Sequence, residues 1–149
     1  MPPKIATGVA AATVSENVVS ATRLTDGCSV YTAELQAILD ALNHCKTTHE
    51  KQILILSDSL SSLQAIKHVY PTHINLFLIK DALQQLQFSG KTISFMWVPS
   101  HVGITSNELE DKTAFEAIKN VNIPTTTGIL ISDSKTLFKN HVNKIWQEI

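Results

Sequence analysis

The chain has little cysteine, and this excludes two classes of protein. Cys28 and Cys45 are the only cysteines among 149 residues, and neither lies in a CxxC or Cys–His spacing typical of zinc sites. A chain of this length can bury an adequate core, so a single stabilising disulfide would be unusual. We therefore expect two reduced thiols in an intracellular protein, and neither a zinc site nor a redox centre.

Long hydrophobic runs and an excess of one charge are also absent. No apolar run approaches the roughly 20 residues that a bilayer crossing needs, and residues 1–16 lack the pattern of a secretory signal. Twelve basic against thirteen acidic side chains exclude a protein held to nucleic acid by charge alone. With 44% hydrophobic and 17% charged residues, the composition predicts one soluble domain with a core, no membrane association and no obligate oligomer.

The periodicity of the apolar residues predicts an α/β fold. Between residues 30 and 46, apolar residues recur at the spacing of one helix face: Leu35, Ile38, Leu39 and Leu42. Short β-branched runs predict strands at 5–14, 18–24, 53–56 and 92–98, with a turn at Glu16-Asn17. Further helices are predicted at 59–69, 74–88 and 133–148, and a capping box of Thr105 and Glu108 precedes a helix that reaches about residue 119. This order predicts a mixed sheet with helices on its faces.

The sequence also predicts which side of two later helices is apolar. In the helix over 74–88 we expect four large side chains to face the core, namely Phe77, Leu78, Leu83 and Leu86. The last helix carries its apolar residues on one side: Leu137, Phe138, Val142, Ile145 and Trp146. Asp133 precedes that side and is predicted to cap the helix.

Three carboxylates lie where the elements of an α/β sheet begin or end. Asp58 follows the strand over 53–56, Glu34 begins the first long helix, and Asp111 falls in the second turn of the helix that begins with Asn107. Singly, each has an ordinary explanation: a helix cap, an acid that favours the helix dipole, or a solvated helix face. Together they predict a Mg²⁺ site, because clustered carboxylates repel one another unless hard cations bind between them.

Three segments resemble sequence blocks of the ribonuclease H family: SVYTAELQAI, ILSDSLSSLQAI and WVPSHVGITSNELEDKTA. The blocks look much like those of the ribonuclease H domains at the end of non-long-terminal-repeat retrotransposon polyproteins, and the resemblance covers about residues 5–120. The third block is the most specific, since a tryptophan-led strand precedes a loop histidine ten positions before an aspartate, His101 and Asp111.

The resemblance implies an endonuclease that cuts the RNA strand of an RNA–DNA hybrid with two Mg²⁺ or Mn²⁺ ions. Glu34, Asp58 and Asp111 match the family's metal-binding carboxylates, and His101 matches a loop histidine that assists proton transfer or product release. Ser59 and Asn107 are weaker candidates for contacts to the hybrid's backbone or 2′-hydroxyls, and helix capping explains both equally well.

The chain departs from the family pattern at the first strand. The family has a fourth carboxylate on an opening, central strand, in a motif like Asp-Gly-Ser. The segment at residues 26–29 imitates this motif, but only eight positions separate Asp26 from Glu34, too few for the two strands that must intervene. We therefore expect the central strand between 5–14 and 53–56 to be missing, with two unpaired strand edges, weak activity and poor stability.

These expectations define the predicted organisation. Residues 1–120 form an N-terminally truncated ribonuclease H-like domain, and residues 121–149 form a linker and the trailing helix of a following polyprotein segment. The predicted partners are an RNA–DNA hybrid and a reverse transcriptase domain in the same polypeptide. The alternative is a non-catalytic transposon-derived remnant that binds nucleic acid or a partner without cutting.

Overall fold

The structure is a computed structural model that describes residues 10–15, 19–99, 105–119 and 131–147. Within 105–119 it describes the side chains of residue 109 and of residues 112–119. The predicted strand residues 5–9 and the predicted turn at Glu16-Asn17 lie outside the described residues. None of the described helices is both long and apolar enough to cross a bilayer.

The elements alternate largely as the periodicity predicts. The strands are β1 (Ala10–Val14), β2 (Val19–Arg23), β3 (Gln52–Ser57) and β4 (Thr92–Trp97). The helices are α1 (Val30–Thr47), α2 (Leu60–Lys67), α3 (Ile74–Phe88), α4 (Thr105–Lys119) and α5 (Ile131–Gln147). The prediction of a mixed α/β fold with helices flanking the strands is confirmed.

The described strands form two separate two-stranded sheets. β1 pairs with β2 antiparallel, with Ala10 opposite Arg23. β3 pairs with β4 in parallel, with Ser57 opposite Trp97. Within the described part of the chain no strand joins the two sheets.

The larger core lies between α1, α3 and the β3–β4 sheet. Ser29 caps α1 by accepting a hydrogen bond from the Thr32 backbone N–H at 3.1 Å, so the helix begins at Val30, five residues before its apolar stripe. The stripe predicted for α1 is fully buried, and it packs against residues of the neighbouring elements: Ile55, Leu63, Leu76, Ile79 and Leu86. Burial of large aliphatic side chains at about 25 cal/mol per Å² makes this core the main source of stability.

A second, smaller core joins the β1–β2 sheet to the start of α1. Its buried members are Ala11, Leu24, Cys28 and Ala33, with Ala37 packed against them. Cys28 and Cys45 are both buried free thiols, which agrees with the prediction of two reduced cysteines. Because most of these side chains are small, the second core buries less apolar area than the first.

The buried face of α3 differs in part from the prediction. Phe77 and Leu78 are 59% and 40% exposed, whereas Leu76 and Ile79 are buried. The stripe that faces the core runs through residues 76, 79, 83 and 86 at spacings of three and four, so residues 77 and 78 lie beside it. The prediction was wrong for those two residues and right for Leu86.

The last helix contacts the rest of the molecule through its first turn. Asp133 is the only buried residue of α5. Phe138 and Trp146, on the predicted apolar side, are 71% and 73% exposed. At 100° per residue, Asp133 lies on nearly the opposite side of the helix from Phe138. The first turn of α5 therefore contacts the rest of the molecule through Asp133, and Phe138 and Trp146 face solvent.

Candidate active site

Glu34 lies near the start of α1, and Asp58 follows the end of β3, the next element along the chain. Residues 48–51 link α1 to β3, and the two elements are in contact. From Glu34 to Thr47, α1 rises about 20 Å, and the six residues of β3 also span about 20 Å. Antiparallel packing of the two elements would bring the start of α1 and the end of β3 to the same level.

Glu34 lines a small pocket between β1, α1 and α4. The other lining residues are alanines, namely Ala10, Ala11, Ala12, Ala33, Ala37 and Ala114, and the volume is about 40 Å³. A pocket of this size holds a water molecule or an ion. Glu34 was predicted in the first turn, but it is the fifth residue of α1, where the helix dipole favours an acid less. A dipole role therefore explains Glu34 poorly.

The same pocket also places Glu34 beside α4, the helix that carries Asp111. Ala114 of α4 lines the pocket, and Asp111 lies three residues earlier on the same helix, which is less than one turn. The prediction that Asp111 falls in the second turn of its helix holds for the backbone. Its side chain lies outside the described residues, as do His101 and the side chain of Asn107.

Hydrogen bonds hold the turn that carries Asp58 at several points. Val98 donates its N–H to the Ser57 carbonyl at 3.0 Å, and the Ser57 hydroxyl accepts from the Ser59 N–H at 3.2 Å. The Asp58 carbonyl accepts from the Leu60 N–H at 3.0 Å and from the Trp97 indole N–H at 3.0 Å. The backbone at Asp58 is thus anchored to both β3 and β4.

Helix capping does not account for Asp58 or for the Ser59 hydroxyl. The N-cap of α2 is Ser59, one residue after Asp58, and it makes no side-chain cap hydrogen bond. The Ser59 hydroxyl instead donates to the Ser62 hydroxyl at 2.8 Å. The capping alternative for both residues is therefore not supported, and the partial exposure of Ser59 leaves it accessible to a ligand.

The described side chains alone do not form a metal-binding cluster. No group of three or more His, Cys, Asp or Glu residues within this part of the chain could hold an ion. The predicted set needs Asp111, whose side chain lies outside the described residues. The site formed by Glu34, Asp58 and Asp111 with His101 therefore stays a prediction.

A polar network at the start of α1 was not foreseen from the sequence. The buried Thr32 hydroxyl donates to the Asp133 carboxylate at 2.8 Å and lies 3.2 Å from His73 Nε2. His73 Nδ1 accepts from the Asn75 N–H at 3.1 Å, so Nε2 carries the proton and donates to Thr32. Asp133 was predicted to cap α5; it lies instead within the first turn and bonds to α1. The prediction missed this because the contact joins residues 101 positions apart.

Burial and charge act in opposite directions on His73. Desolvation lowers the pKa of this imidazole below 6.5, and the nearby Asp133 carboxylate raises it by a smaller amount. The neutral tautomer that the hydrogen bonds require is therefore the favoured form near neutral pH. The only available sequence signal was the position of His73 directly before a helix, where side chains cap.

In α/β proteins, ligands bind outside the carboxyl ends of parallel strands, and Asp58 directly follows the carboxyl end of β3. A comparison with protein-family models identifies the family: the model for RNase H matches residues 3–119. The match covers most of the chain, and the chain belongs to the ribonuclease H family. No curated protein matches it. Membership supports ribonuclease H-type nuclease activity, for which RNA–DNA hybrids are the substrates and divalent ions such as Mg²⁺ the usual cofactor.

Proposed function

We propose that this chain is a metal-dependent endonuclease domain that hydrolyses the RNA strand of RNA–DNA hybrids by a two-metal mechanism. The family match over residues 3–119 supports the reaction class. The assignment to particular residues is supported by the packing of two elements: α1, which carries Glu34 near its start, contacts β3, which Asp58 directly follows. Asp111, just before the pocket residue Ala114, completes the proposed donor set.

The chemistry of the donor set fits Mg²⁺ or Mn²⁺. All three proposed ligands are carboxylates, the hard oxygen donors that these ions prefer. Two bound ions would stabilise the attacking and leaving oxygens of phosphodiester hydrolysis. Contacts within the chain would position two of the proposed ligands. Trp97 and Leu60 hold the Asp58 backbone. The alanine pocket keeps the Glu34 side chain close to β1.

His101 and the polar residues at the helix starts would serve the substrate. An imidazole with a pKa near neutrality can move a proton or assist product release, and we assign that role to His101. Ser59 and Asn107 are proposed to contact the backbone or the 2′-hydroxyls of the hybrid. A 2′-hydroxyl contact would distinguish an RNA strand from DNA.

Full activity is proposed to need a further carboxylate from a strand between β1 and β3. The separation of the described strands into two sheets supports this, because each inner edge leaves backbone groups without a neighbouring strand. We propose that the domain works within a retrotransposon-type polyprotein, next to a reverse transcriptase domain. Such a tether would raise the local concentration of hybrid for a chain with a net charge of only −1.

The separated sheets also favour a second candidate function. A chain that lacks the bridging carboxylate would hold the ion pair weakly, so it could act as a non-catalytic, transposon-derived module that binds hybrid or a partner. Cleavage separates the two candidates, because only the enzyme turns over.

The test measures Mg²⁺-dependent cleavage of a labelled RNA–DNA hybrid by a version that carries an added N-terminal strand ending in Asp-Gly-Ser. We expect cleavage that Asp58→Asn lowers by about 1,000-fold or more, as expected when a metal-binding carboxylate is lost. Asp81→Asn, at an exposed carboxylate of α3, is the matched control and should cleave normally. Equal rates for Asp58→Asn and the parent would contradict the nuclease assignment, and binding without cleavage by the parent would support the second candidate.

A further inference from the structure

The turn that carries Asp58 has a long-range side-chain anchor in the neighbouring strand. Trp97 is the last residue of β4, opposite Ser57 in the parallel register. Its indole N–H donates to the Asp58 carbonyl at 3.0 Å, across 39 positions of sequence. Other hydrogen bonds described in the turn are local, namely those of the backbone and of the Ser57 and Ser59 hydroxyls. Trp97 is therefore the side chain that joins the end of β4 to the Asp58 peptide.

The geometry makes this anchor relevant to the direction of the Asp58 carboxylate. A carbonyl that accepts two hydrogen bonds, from Leu60 and from Trp97, cannot rotate without breaking both of them. The position of the Asp58 Cα is therefore fixed, and so is the point from which its side chain extends. Residues that orient a metal ligand in this way affect ion affinity by about 10- to 100-fold in known sites.

The exposure of Trp97 argues against a purely structural role. Its side chain is 47% exposed, whereas the aromatic residue of β4 that packs against the large core, Phe95, is partly buried. An indole placed only for packing would bury more of its area. The structure gives Trp97 a polar partner at the candidate site, and the tryptophan is the first residue of the WVPSH segment that leads to His101.

We propose that Trp97 is a positioning residue for Asp58, acting through the indole N–H bond to the Asp58 carbonyl. The inference rests on the proposed function, in which Asp58 binds Mg²⁺. Loss of the indole N–H would weaken ion binding at Asp58 without removing a ligand.

The experiment uses the full 149-residue chain labelled with ¹⁵N, in which Trp97 and Trp146 give two indole signals. The variant Trp146→Phe assigns them, and it is also the matched control because Trp146 is 73% exposed on α5. Without metal, we expect the Trp97 indole proton to exchange with water more slowly than that of Trp146. Equal exchange rates would show that the bond is absent and would overturn the proposal, whether or not the Trp97 variant folds.

The second measurement is a Mg²⁺ titration that follows the backbone amides of Asp58 and Ser59. We expect Trp97→Phe to raise the midpoint about tenfold, and Trp146→Phe to leave it unchanged. Saturating Mg²⁺ should restore the wild-type signal in Trp97→Phe, which damage to the fold would not allow. An unchanged midpoint in Trp97→Phe would overturn the positioning role alone. Titrations that are the same for wild type and Asp58→Asn would overturn the metal site itself, and the positioning role with it.

Discussion

The two halves of the molecule are packed with side chains of different size. The half formed by α1, α3 and the β3–β4 sheet buries a continuous cluster of leucines and isoleucines. The half formed by the β1–β2 sheet and the start of α1 buries mainly alanines and one leucine, Leu24. Since stabilisation by the hydrophobic effect scales with buried apolar area, the first half holds most of the stability.

The difference matters because the candidate site lies across both halves. Asp58 is held by the well-packed half through β3 and β4, whereas Glu34 faces the alanine pocket beside β1 and α4. A strand added between the sheets would connect these halves. The alanines leave room for closely spaced elements, but they contribute little burial by themselves.

The largest expected effect comes from truncating the larger core. Leu42 is fully buried, so Leu42→Ala should lower the free energy of unfolding by about 3 kcal/mol. The corresponding change in the small core, Leu24→Ala, should cost about 2 kcal/mol, because few large neighbours surround Leu24. Urea unfolding followed by circular dichroism measures both. A greater loss for Leu24→Ala would reverse the comparison of the two halves.

The next effect tests the network that joins α1, α3 and α5. Thr32→Val keeps the shape of the side chain but removes the hydroxyl that contacts Asp133 and His73. We expect a loss of about 2 kcal/mol, because the buried Asp133 carboxylate and the partly buried His73 imidazole both lose their partner. The control is Thr13→Val, whose hydroxyl bond to the Ala37 carbonyl at 3.3 Å is long and partly exposed. It should cost about 0.5 kcal/mol, and equal losses would contradict a central role for Thr32.

A smaller effect is expected at the turn between α3 and β4, on the well-packed side. Gly90 has a φ of 79°, a left-handed conformation, and a Cβ added there would meet no atom within 4 Å. Gly90→Ala should therefore cost about 1 kcal/mol through backbone strain alone. Gly90→Asn should cost less, because asparagine tolerates this conformation better. Thermal unfolding of both variants measures the difference, and an equal loss for the two would point to a steric cause.

The smallest effect is a pH dependence centred on His73. The folded state lowers the pKa of this imidazole, so between the folded pKa and 6.5 the unfolded chain binds more protons. The stability that His73 contributes is complete above pH 6.5 and is lost as the pH falls towards the folded pKa. His73→Asn keeps a capping side chain without a titratable group. Urea midpoints at pH 7.5 and 5.5 should differ less for this variant than for the wild type.

Much of the fold could be predicted from local patterns. The stripe of α1 and the apolar run of β3 follow from helical and strand periodicities, and both were found within two residues of the predicted bounds. The buried face of α3 could not be predicted from periodicity alone. Phe77 and Leu78 are more hydrophobic than several buried residues of α3. However, shifting the assigned apolar stripe by one residue along the helix turns a different set of side chains toward the core. Packing against α1 decides between them.

The candidate site could be predicted less completely than the fold. Residue type and spacing identified Asp58 and Glu34 as candidates, and the two elements that carry them, α1 and β3, are in contact. The indole bond of Trp97 and the bond from Thr32 to Asp133 could not be predicted, because each joins distant positions through side-chain directions. Asp133 was mistaken for a cap for the same reason. The metal site itself stays a prediction, since the side chain of Asp111 is not among those described.

By itself the sequence determined the class of fold, the family and the carboxylates on which the proposed chemistry depends. Hydrophobic periodicity and the WVPSH segment are local properties, so they can be seen without coordinates. Only the tertiary structure decided that the described strands form two sheets, that α5 docks through Asp133, and that Trp97 holds the Asp58 peptide. These features depend on contacts between distant residues, whose geometry is set when the elements pack together.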